Sequence, residues 1–372
     1  MNTPYAAVKN FIQQDVLDAG AELNRLDITR SAIKSITDKF ASLGWSIEDT
    51  SRESENFSRH LITSPDGRET LKMTGGKVFR HPMATEVICR QKLLTKQLMS
   101  LAHIPHPVGI SFSSSERAIA NAIFPSIPKP VVVKPSNEGA SRGVTVGVTS
   151  PEEFSAAWNA ATQSKHADTR VIIEELVDGV ELRAFVVGED VVSTLVRLQP
   201  FVVGDGQATV NELVGQLRQE REIHYRARVA NNEIDPDFLR SQGESEQSVP
   251  RQGKIVLLNR FTLSYHGAFV VDVTSNVSPG IMDMARRAKN AIPGLEIAGV
   301  DLLVGDIRDA STAKVVEVNT GAALDLHRYP THGPARNVDE DIVQHFHNDF
   351  ISRARVSSEK RAFISREDNR KG

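Results

Sequence analysis

The sequence predicts an α+β fold spread over more than one domain, on three observations. Runs of β-branched residues such as Val131–Val133, Val171–Ile173 and Val315–Val318 read as strands, bounded by small or polar segments. Helical spacing recurs between them, at Thr85–Leu101, Pro151–Ala161, Val210–Arg221, Pro279–Ala291 and Val338–Ser352. At 372 residues the chain is long enough for two or three domains. Hydrophobic content of 40% and charged content of 24% are ordinary for a globular protein. A net charge of −3 indicates neither a nucleic-acid partner nor a membrane surface. Cys89 is the single cysteine, so no disulfide can form within the chain, which fits a reducing cytosol. It lies on a helix and reads as core. Residues 1–15 show no signal-peptide pattern, and no stretch approaches the roughly 18 apolar residues of a membrane span. The expected location is cytoplasmic.

In chain order, residues 1–40 look helical, with Val8, Phe11, Ile12, Val16 and Leu17, and then Ile33, Ile36 and Phe40, at helical spacing. Short strands are expected at 43–47, 60–63, 69–73 and 76–79, with Pro65-Asp66-Gly67 as a turn. The helix at Thr85–Leu101 ends at Ile104-Pro105-His106-Pro107. Ser150-Pro151-Glu152-Glu153 starts the next helix. A hairpin is expected across Gly188-Glu189-Asp190. His224–Gln252 is polar and weakly periodic, either a lid or a flexible insertion. The tail from Arg353 holds seven Lys/Arg against three Asp/Glu and is expected to be mobile.

The chemistry concentrates in four places. Lys134 closes a strand and leads into Ser136-Asn137-Glu138-Gly139-Ala140-Ser141-Arg142-Gly143, a small-residue loop that can bring backbone N–H groups to an anion. It is not a P-loop, because no Gly-Lys-Ser/Thr follows the glycines. A surface lysine before a flexible hairpin is the alternative. Glu174-Glu175-Leu176-Val177 ends an apolar strand and could grip a purine edge, with Glu181 positioned for ribose hydroxyls. Solvated strand-end acids are the alternative there. Arg197 follows at another strand end. Near the C-terminus, Glu317 and Asn319 share one face of a strand by its period of two, and Asp301 is the lone acid of a neighbouring apolar run. Carboxylate and amide oxygens suit Mg²⁺, and a strand-end Asp with an edge-facing Glu/Asn pair, solvated and idle, is the alternative.

In this order the motifs resemble the ATP-grasp superfamily of carboxylate–amine ligases, over roughly residues 85–347. Gln91-Lys92-Leu93-Leu94-Thr95-Lys96 is similar to the segment carrying the first ATP-phosphate lysine, here Lys92, and Lys96 is left as a surface residue. Val133-Lys134-Pro135 resembles the second lysine, Glu174–Val177 the adenine hinge, and Glu181 the ribose carboxylate. Asp301, Glu317 and Asn319 fall where the family binds two Mg²⁺ ions, with Mn²⁺ as the alternative ion. Val202–Leu213, the stretch from Leu239 to Lys254, and His327-Arg328-Tyr329-Pro330 with Gly333 and Arg336 are similar to the cyanophycin synthetase group and to the ATP-grasp half of bifunctional glutathione-forming enzymes.

The resemblance implies an ATP-grasp fold that clamps ATP between two antiparallel sheets, with an extra N-terminal α/β domain. The expected divisions are 1–110 for an N-terminal domain that selects substrate, 111–190 for a central lid domain, 191–352 for the catalytic domain and 353–372 for the basic tail. Residues Lys92, Lys134, Ser136, Gly139, Ser141, Gly143, Glu174, Glu175, Leu176, Val177 and Glu181 are expected around ATP. Arg260 and Arg197 are expected to neutralise transferred charge, and His266, Gly267, His327 and Arg336 to border the substrate. A hydrogen bond to a neighbouring carbonyl is the structural alternative for His327. The implied reaction joins a small-molecule carboxylate to an amine, both amino acids, through an acylphosphate. The other reading is a non-catalytic nucleotide sensor that keeps the clamp. A homodimer is left open.

Departures matter too. Thr262-Leu263-Ser264-Tyr265-His266-Gly267-Ala268 stands where relatives carry Asn-Leu-Ser-Thr-Gly-Gly, and Glu222–Ala227 replaces an Asp-Pro-x-Arg-Gly segment. Gly299 stands where D-alanine–D-alanine ligases carry an arginine, which argues against D-alanine as substrate. With no Mur-type domain after the clamp and no glutamate–cysteine ligase half before it, a free-standing ligase is expected.

Overall fold

The computed structural model describes residues 5–26, 31–52, 57–139, 141–164, 168–225, 227–228, 233–262 and 266–371, with side chains of the last helix as far as Val356. The opening helix α1 (Ala6–Phe11) continues as a π-helical turn at Ile12–Leu17. Its buried side chains, Val8, Phe11, Ile12 and Val16, join the main core of the molecule. Helix α2 (Ala32–Ser42) follows, capped by the Ser31 hydroxyl accepting from the Lys34 N–H. Strands β1 (Ser46–Asp49), β2 (Arg59–Thr63), β3 (Thr70–Thr74) and β4 (Lys77–Phe79) form an antiparallel meander. Alternation along β3 buries Leu71 and Met73, and the β3–β4 turn needs Gly75 and Gly76 at φ +54 and +83.

The expected helix over 85–101 is two helices, α3 (Met83–Arg90) and α4 (Lys92–Leu101). Gln91 breaks them with extended backbone, φ −98 and ψ 94. The Lys92 N–H donates to the Ser136 carbonyl (3.0 Å) instead of continuing the ladder of α3. That long-range bond is invisible to local periodicity. A central sheet then forms from β5 (Gly109–Ser113), β6 (Val131–Pro135), β7 (Thr145–Val148) and β8 (Arg170–Glu175), in the order β5-β8-β6-β7 and antiparallel throughout. Helices α5 (Arg117–Ile123) and α6 (Pro151–Thr162) cover it, and α6 starts with a Ser150/Glu153 capping box. Phe112, Phe124, Val131, Val133, Phe154 and Trp158 fill the layer between.

The main body is built on β9 (Val180–Val187) and β10 (Asp190–Leu198). Next come β11 (Phe201–Val203), α7 (Val210–Arg221), α8 (Pro236–Ser241), β12 (Ile255–Leu257) and β13 (Phe269–Asp272). The chain then runs through α9 (Pro279–Asn290), β14 (Ile297–Val304), β15 (Ala313–Asn319), α10 (Leu324–Arg328) and α11 (Val338–Lys371). Five strands make one antiparallel sheet in the order β13-β10-β9-β14-β15, while β11 and β12 pair separately. One face of the large sheet presents Leu182, Ala184, Val186, Val196, Val300 and Leu302 to the main core, with Ile281, Ala285 and Ala288 of α9. Burying each leucine, isoleucine or valine of this set is worth about 1.5–3 kcal/mol.

Three expectations change here. β9 and β10 lie in the same sheet, so the division expected at 190 cuts a hairpin, and the chain leaves the central sheet after Glu175 instead. The N-terminal meander has no separate core. Ile36, Phe40, Ile62 and Leu71 pack with Phe185, Val187 and Ile297 of the large sheet and with Val338, Ile342 and Phe346 of α11. The division expected at 353 falls inside α11, which runs as far as Lys371. No proline or glycine interrupts it, and Arg353 pairs with Asp349 one turn earlier.

Two segments join the body to the central sheet side by side. On the first crossing, Val315 N–H donates to Pro105 O (2.8 Å) and Glu175 N–H to Val108 O (3.0 Å). On the second, Gly179 enters β9 where a Cβ would stand 2.7 Å from the Val304 backbone nitrogen, so a side chain has no room there. Among the described residues no helix is long and apolar enough to cross a membrane.

Candidate functional site

The second face of the large sheet is charged. Register pairs Arg183 of β9 with Asp301 of β14, Asp301 with Glu317 of β15, Gly299 with Asn319, and Glu181 of β9 with Arg197 of β10. Since strand side chains alternate, these groups rise from one surface. A register shift follows the Asp301–Glu317 pair and leaves Val316 as the extra residue of a bulge. Asp301 is buried. Arg183 grips it with two hydrogen bonds of 2.7 and 2.6 Å, Arg197 Nη2 lies 3.2 Å away, and Asn319 Nδ2 donates at 3.2 Å. Burial works against the charge, but Arg183 and Arg197 hold the Asp301 carboxyl below the usual range and keep it ionised. Arg197 also pairs with Glu181, whose other oxygen accepts from Thr262.

Lys92 connects this face to the small-residue loop. Its ammonium lies 3.4 Å from Glu317 Oε1 and donates to the Glu138 carbonyl. The helix break at Gln91 makes this reach possible, because it places Lys92 at the first position of α4. The loop itself is anchored at both ends. Ser136 is buried, exchanges backbone contact with Arg170, and its hydroxyl accepts from the Arg170 N–H (3.0 Å). Arg142 and Ser164 hold the Glu138 carboxylate at 2.9 and 2.8 Å. Ser141 and Gly143 take positive φ, and a Cβ at 143 would stand 2.9 Å from the Ala160 carbonyl oxygen. Gly139 borders open space. Ala140 lies outside the described residues.

At the end of β8 the two glutamates diverge. Glu174 is buried and bound to the Lys134 ammonium, with Lys96 Nζ 2.8 Å from its second oxygen at an angle outside that of a hydrogen bond. Glu175 accepts from Lys314 of β15 (2.6 Å) and from the Val108 N–H (2.8 Å), and the Lys314 contact above all lowers its pKa. Leu176 is exposed and Val177 half-buried, so the strand end offers backbone and apolar surface. Lys96, read from sequence as a surface residue, is therefore inside.

Other expected residues lie elsewhere. Arg260 is exposed, and its guanidinium sits 5.2 Å from the Phe238 ring rather than on the carboxylate cluster. His266 stacks on Phe261 at 4.3 Å and meets Glu233 at 3.1 Å, while the Gly267 carbonyl accepts from Arg221 (2.7 Å). Leu263, Ser264 and Tyr265 of that loop lie outside the described residues. His327 is fully buried behind Phe185 and bonds the Ser193 hydroxyl (2.8 Å), not a neighbouring carbonyl. Burial and the two nearby arginines push its imidazole down to about 3, so it is neutral. Arg336 forms a two-pronged pair with Asp272 at 3.1 and 2.8 Å. Cys89 is buried, and burial with nearby Glu86 and Glu317 pushes its thiol up to about 12, which makes it inert.

Sequence reasoning missed Arg183, Lys96 and Lys314. Arg183 was within reach, because it stands two residues after Glu181 on a strand. Lys314 offered no local signal.

Asp301, Glu317 and Asn319 make an all-oxygen donor set, which fits Mg²⁺. No group of three acids or histidines able to hold a metal occurs among the described residues. Two carboxylates and one amide leave part of an octahedral shell to phosphate oxygens and water, the usual situation for Mg²⁺. A cavity of about 370 Å³ lies between the β9–β10 turn and α11, lined by Glu189, Asp190, Asp341, His345 and Asp349. It is at the far end of β9 from Glu181 and contains none of the site residues.

The family model described as D-ala D-ala ligase C-terminus matches residues 109–212. The chain is 32% identical over 270 residues to the glutathione biosynthesis bifunctional protein of Enterococcus faecalis, covering 69% of this chain and 35% of that one. It is 28% identical over 272 residues to the cyanophycin synthetase of Synechocystis, covering 70% of this chain and 30% of that one. The chain thus spans about a third of the length of these relatives. Among solved structures, the bifunctional glutathione synthetase of Pasteurella multocida superposes with a TM-score of 0.57 at 23% identity, over 84% of this chain and 43% of that one.

Proposed function

We propose that the chain is an ATP-grasp protein of the group that holds the bifunctional glutathione-forming proteins and cyanophycin synthetase, and an ADP-forming carboxylate–amine ligase. The observation that carries the reading is the convergence of Asp301, Glu317 and Asn319 on one sheet face, with Lys92 3.4 Å from Glu317. ATP lies between the central sheet and the large sheet, its adenine at Glu174–Val177 and its ribose near Glu181. Lys92, Lys134 and the loop 136–143 hold the phosphates. Asp301, Glu317 and Asn319 would hold Mg²⁺, two ions by the family pattern, and the metal would supply positive charge against the phosphates.

A substrate carboxylate oxygen attacks the γ-phosphorus, the bond to ADP breaks, and an acylphosphate forms. An amine then attacks the acyl carbon, loses a proton, and expels inorganic phosphate to leave an amide. Catalysis of this kind is mostly positioning and charge neutralisation, and the protein supplies the latter through Lys92 and the arginines behind Asp301. Both substrates are small molecules, of which amino acids are the favoured class. Neither a nucleic acid nor a membrane takes part, and the setting is the cytoplasm.

The test is ADP release from MgATP with a pool of amino acids, followed by mass spectrometry of the products. A new amide mass with stoichiometric ADP supports the ligase. Nucleotide binding without amino-acid-dependent ADP would favour a nucleotide sensor instead. Within the same assay, Glu317→Ala should lower ADP formation by at least about a hundredfold with an unchanged melting temperature. Normal turnover by that variant would remove Glu317 from the metal site.

A further inference from the structure

Lys96, Glu174 and Lys134 form a buried group whose charges do not cancel. Side-chain exposure is 13% for Lys96, 5% for Lys134 and 4% for Glu174. Lys134 binds one carboxylate oxygen, and Lys96 stands 2.8 Å from the other. Two ammonium groups against one carboxylate leave a single positive charge in a place shielded from water, since the neighbouring Glu175 is paired with Lys314. An uncompensated buried charge is costly, so such an arrangement calls for an anion. Lys96 is also fixed from behind, donating to the Pro107 carbonyl at 2.7 Å. Its position is therefore set by the first crossing segment and not by Glu174 alone.

We propose that Lys96 is a positioning residue for nucleotide phosphate: by sharing Glu174, it leaves Lys134 with charge to spare for an anion. Without Lys96, Glu174 would neutralise Lys134 completely, and the buried group would carry no net charge. The inference rests on the nucleotide reading of the site, and it adds a residue that touches no phosphate itself. It also makes a prediction that a purely structural lysine does not. Removing the negative charge of Glu174 at the same time should return the lost positive charge to Lys134.

The experiment is calorimetric titration of the full chain with MgATP, comparing the unmodified protein, Lys96→Met and Lys96→Met/Glu174→Gln. Methionine keeps the stem, and a thermal melt of each variant checks folding. Lys96→Met should weaken MgATP binding about tenfold to a hundredfold, because Glu174 then takes up the charge of Lys134 and weakens its charge-assisted contact. The double variant should recover most of that loss. A Lys96→Met protein that binds MgATP as the unmodified chain does, whatever its melting temperature, would overturn the inference. So would a double variant that binds no better than the single one. If the unmodified chain itself binds no MgATP, the nucleotide reading fails and this inference with it, which separates the two failures.

Discussion

A Cβ at position 299 would stand 2.7 Å from the Gly321 carbonyl oxygen. The arginine that some related ligases place two residues before the metal aspartate therefore has no room on this backbone. The arginine that Asp301 does meet, Arg183, stands on the neighbouring strand. Gly299→Ala should destabilise the fold by about 1–3 kcal/mol through overpacking, read as a lower denaturation midpoint with an unchanged slope. That Glu317 and Asn319 share one face was legible because strand side chains alternate. Arg183 obeys the same rule from Glu181, yet a lone arginine in an apolar strand carries no motif. Lys96 was illegible for a different reason. Four residues from Lys92 on a helix, it looks like one of two solvated lysines, and only the fold brings Glu174 to it.

Elements were read well where their signals are local. Helix α7 has its Thr209/Glu212 capping box, with the Glu212 N–H donating to the Thr209 hydroxyl at 3.2 Å and the Glu212 carboxylate accepting from the Thr209 N–H at 2.8 Å. Thr209→Ala should cost about 0.5–2 kcal/mol, measurable by urea unfolding, and ATP binding should be unaffected because the cap lies outside the site. The break between α3 and α4 could not be read this way. Its cause is the Ser136 carbonyl, more than forty residues further along the chain. Helix α11 runs on past Ser352, since a charged composition does not by itself end a helix.

On the scale of the whole molecule, the N-terminal meander and α11 clamp one end of the large sheet. Arg80 ties this assembly together, bonding Glu69 beside the meander, Asp349 of α11, and Glu296 just before β14, the last at 2.9 Å. Burial alone would raise the pKa of Glu296, but the nearby His345 and the Arg80 hydrogen bonds bring it down to about 2. Since the folded value lies below the ordinary carboxylate value, this group stabilises the fold fully above about pH 4.3. That contribution is lost as pH falls toward 2. Melting temperature should therefore fall over that interval, and less steeply in Glu296→Gln. An equal slope in the two proteins would remove Glu296 from the acid response. None of this was legible locally, because Arg80, Glu296 and Asp349 are far apart in the chain.

The two crossings between body and central sheet lie side by side, joined by the reciprocal bonds between Glu175 and Val108, and Lys314 of β15 ties Glu175 to the large sheet. Two adjacent strands of covalent chain define a pivot: rotation about it displaces nearby atoms little and distant ones most. Glu174 and Glu175 sit by that axis, while the loop 136–143 follows Pro135, which pairs with Val171 at the opposite end of β8. Amide hydrogen exchange should make the axis visible. The N–H groups of Glu175 and Val315 should exchange slowly with or without MgATP, whereas those of the loop should slow markedly once nucleotide is added. Equal slowing at both places would mean that the central sheet tightens as one block instead of turning.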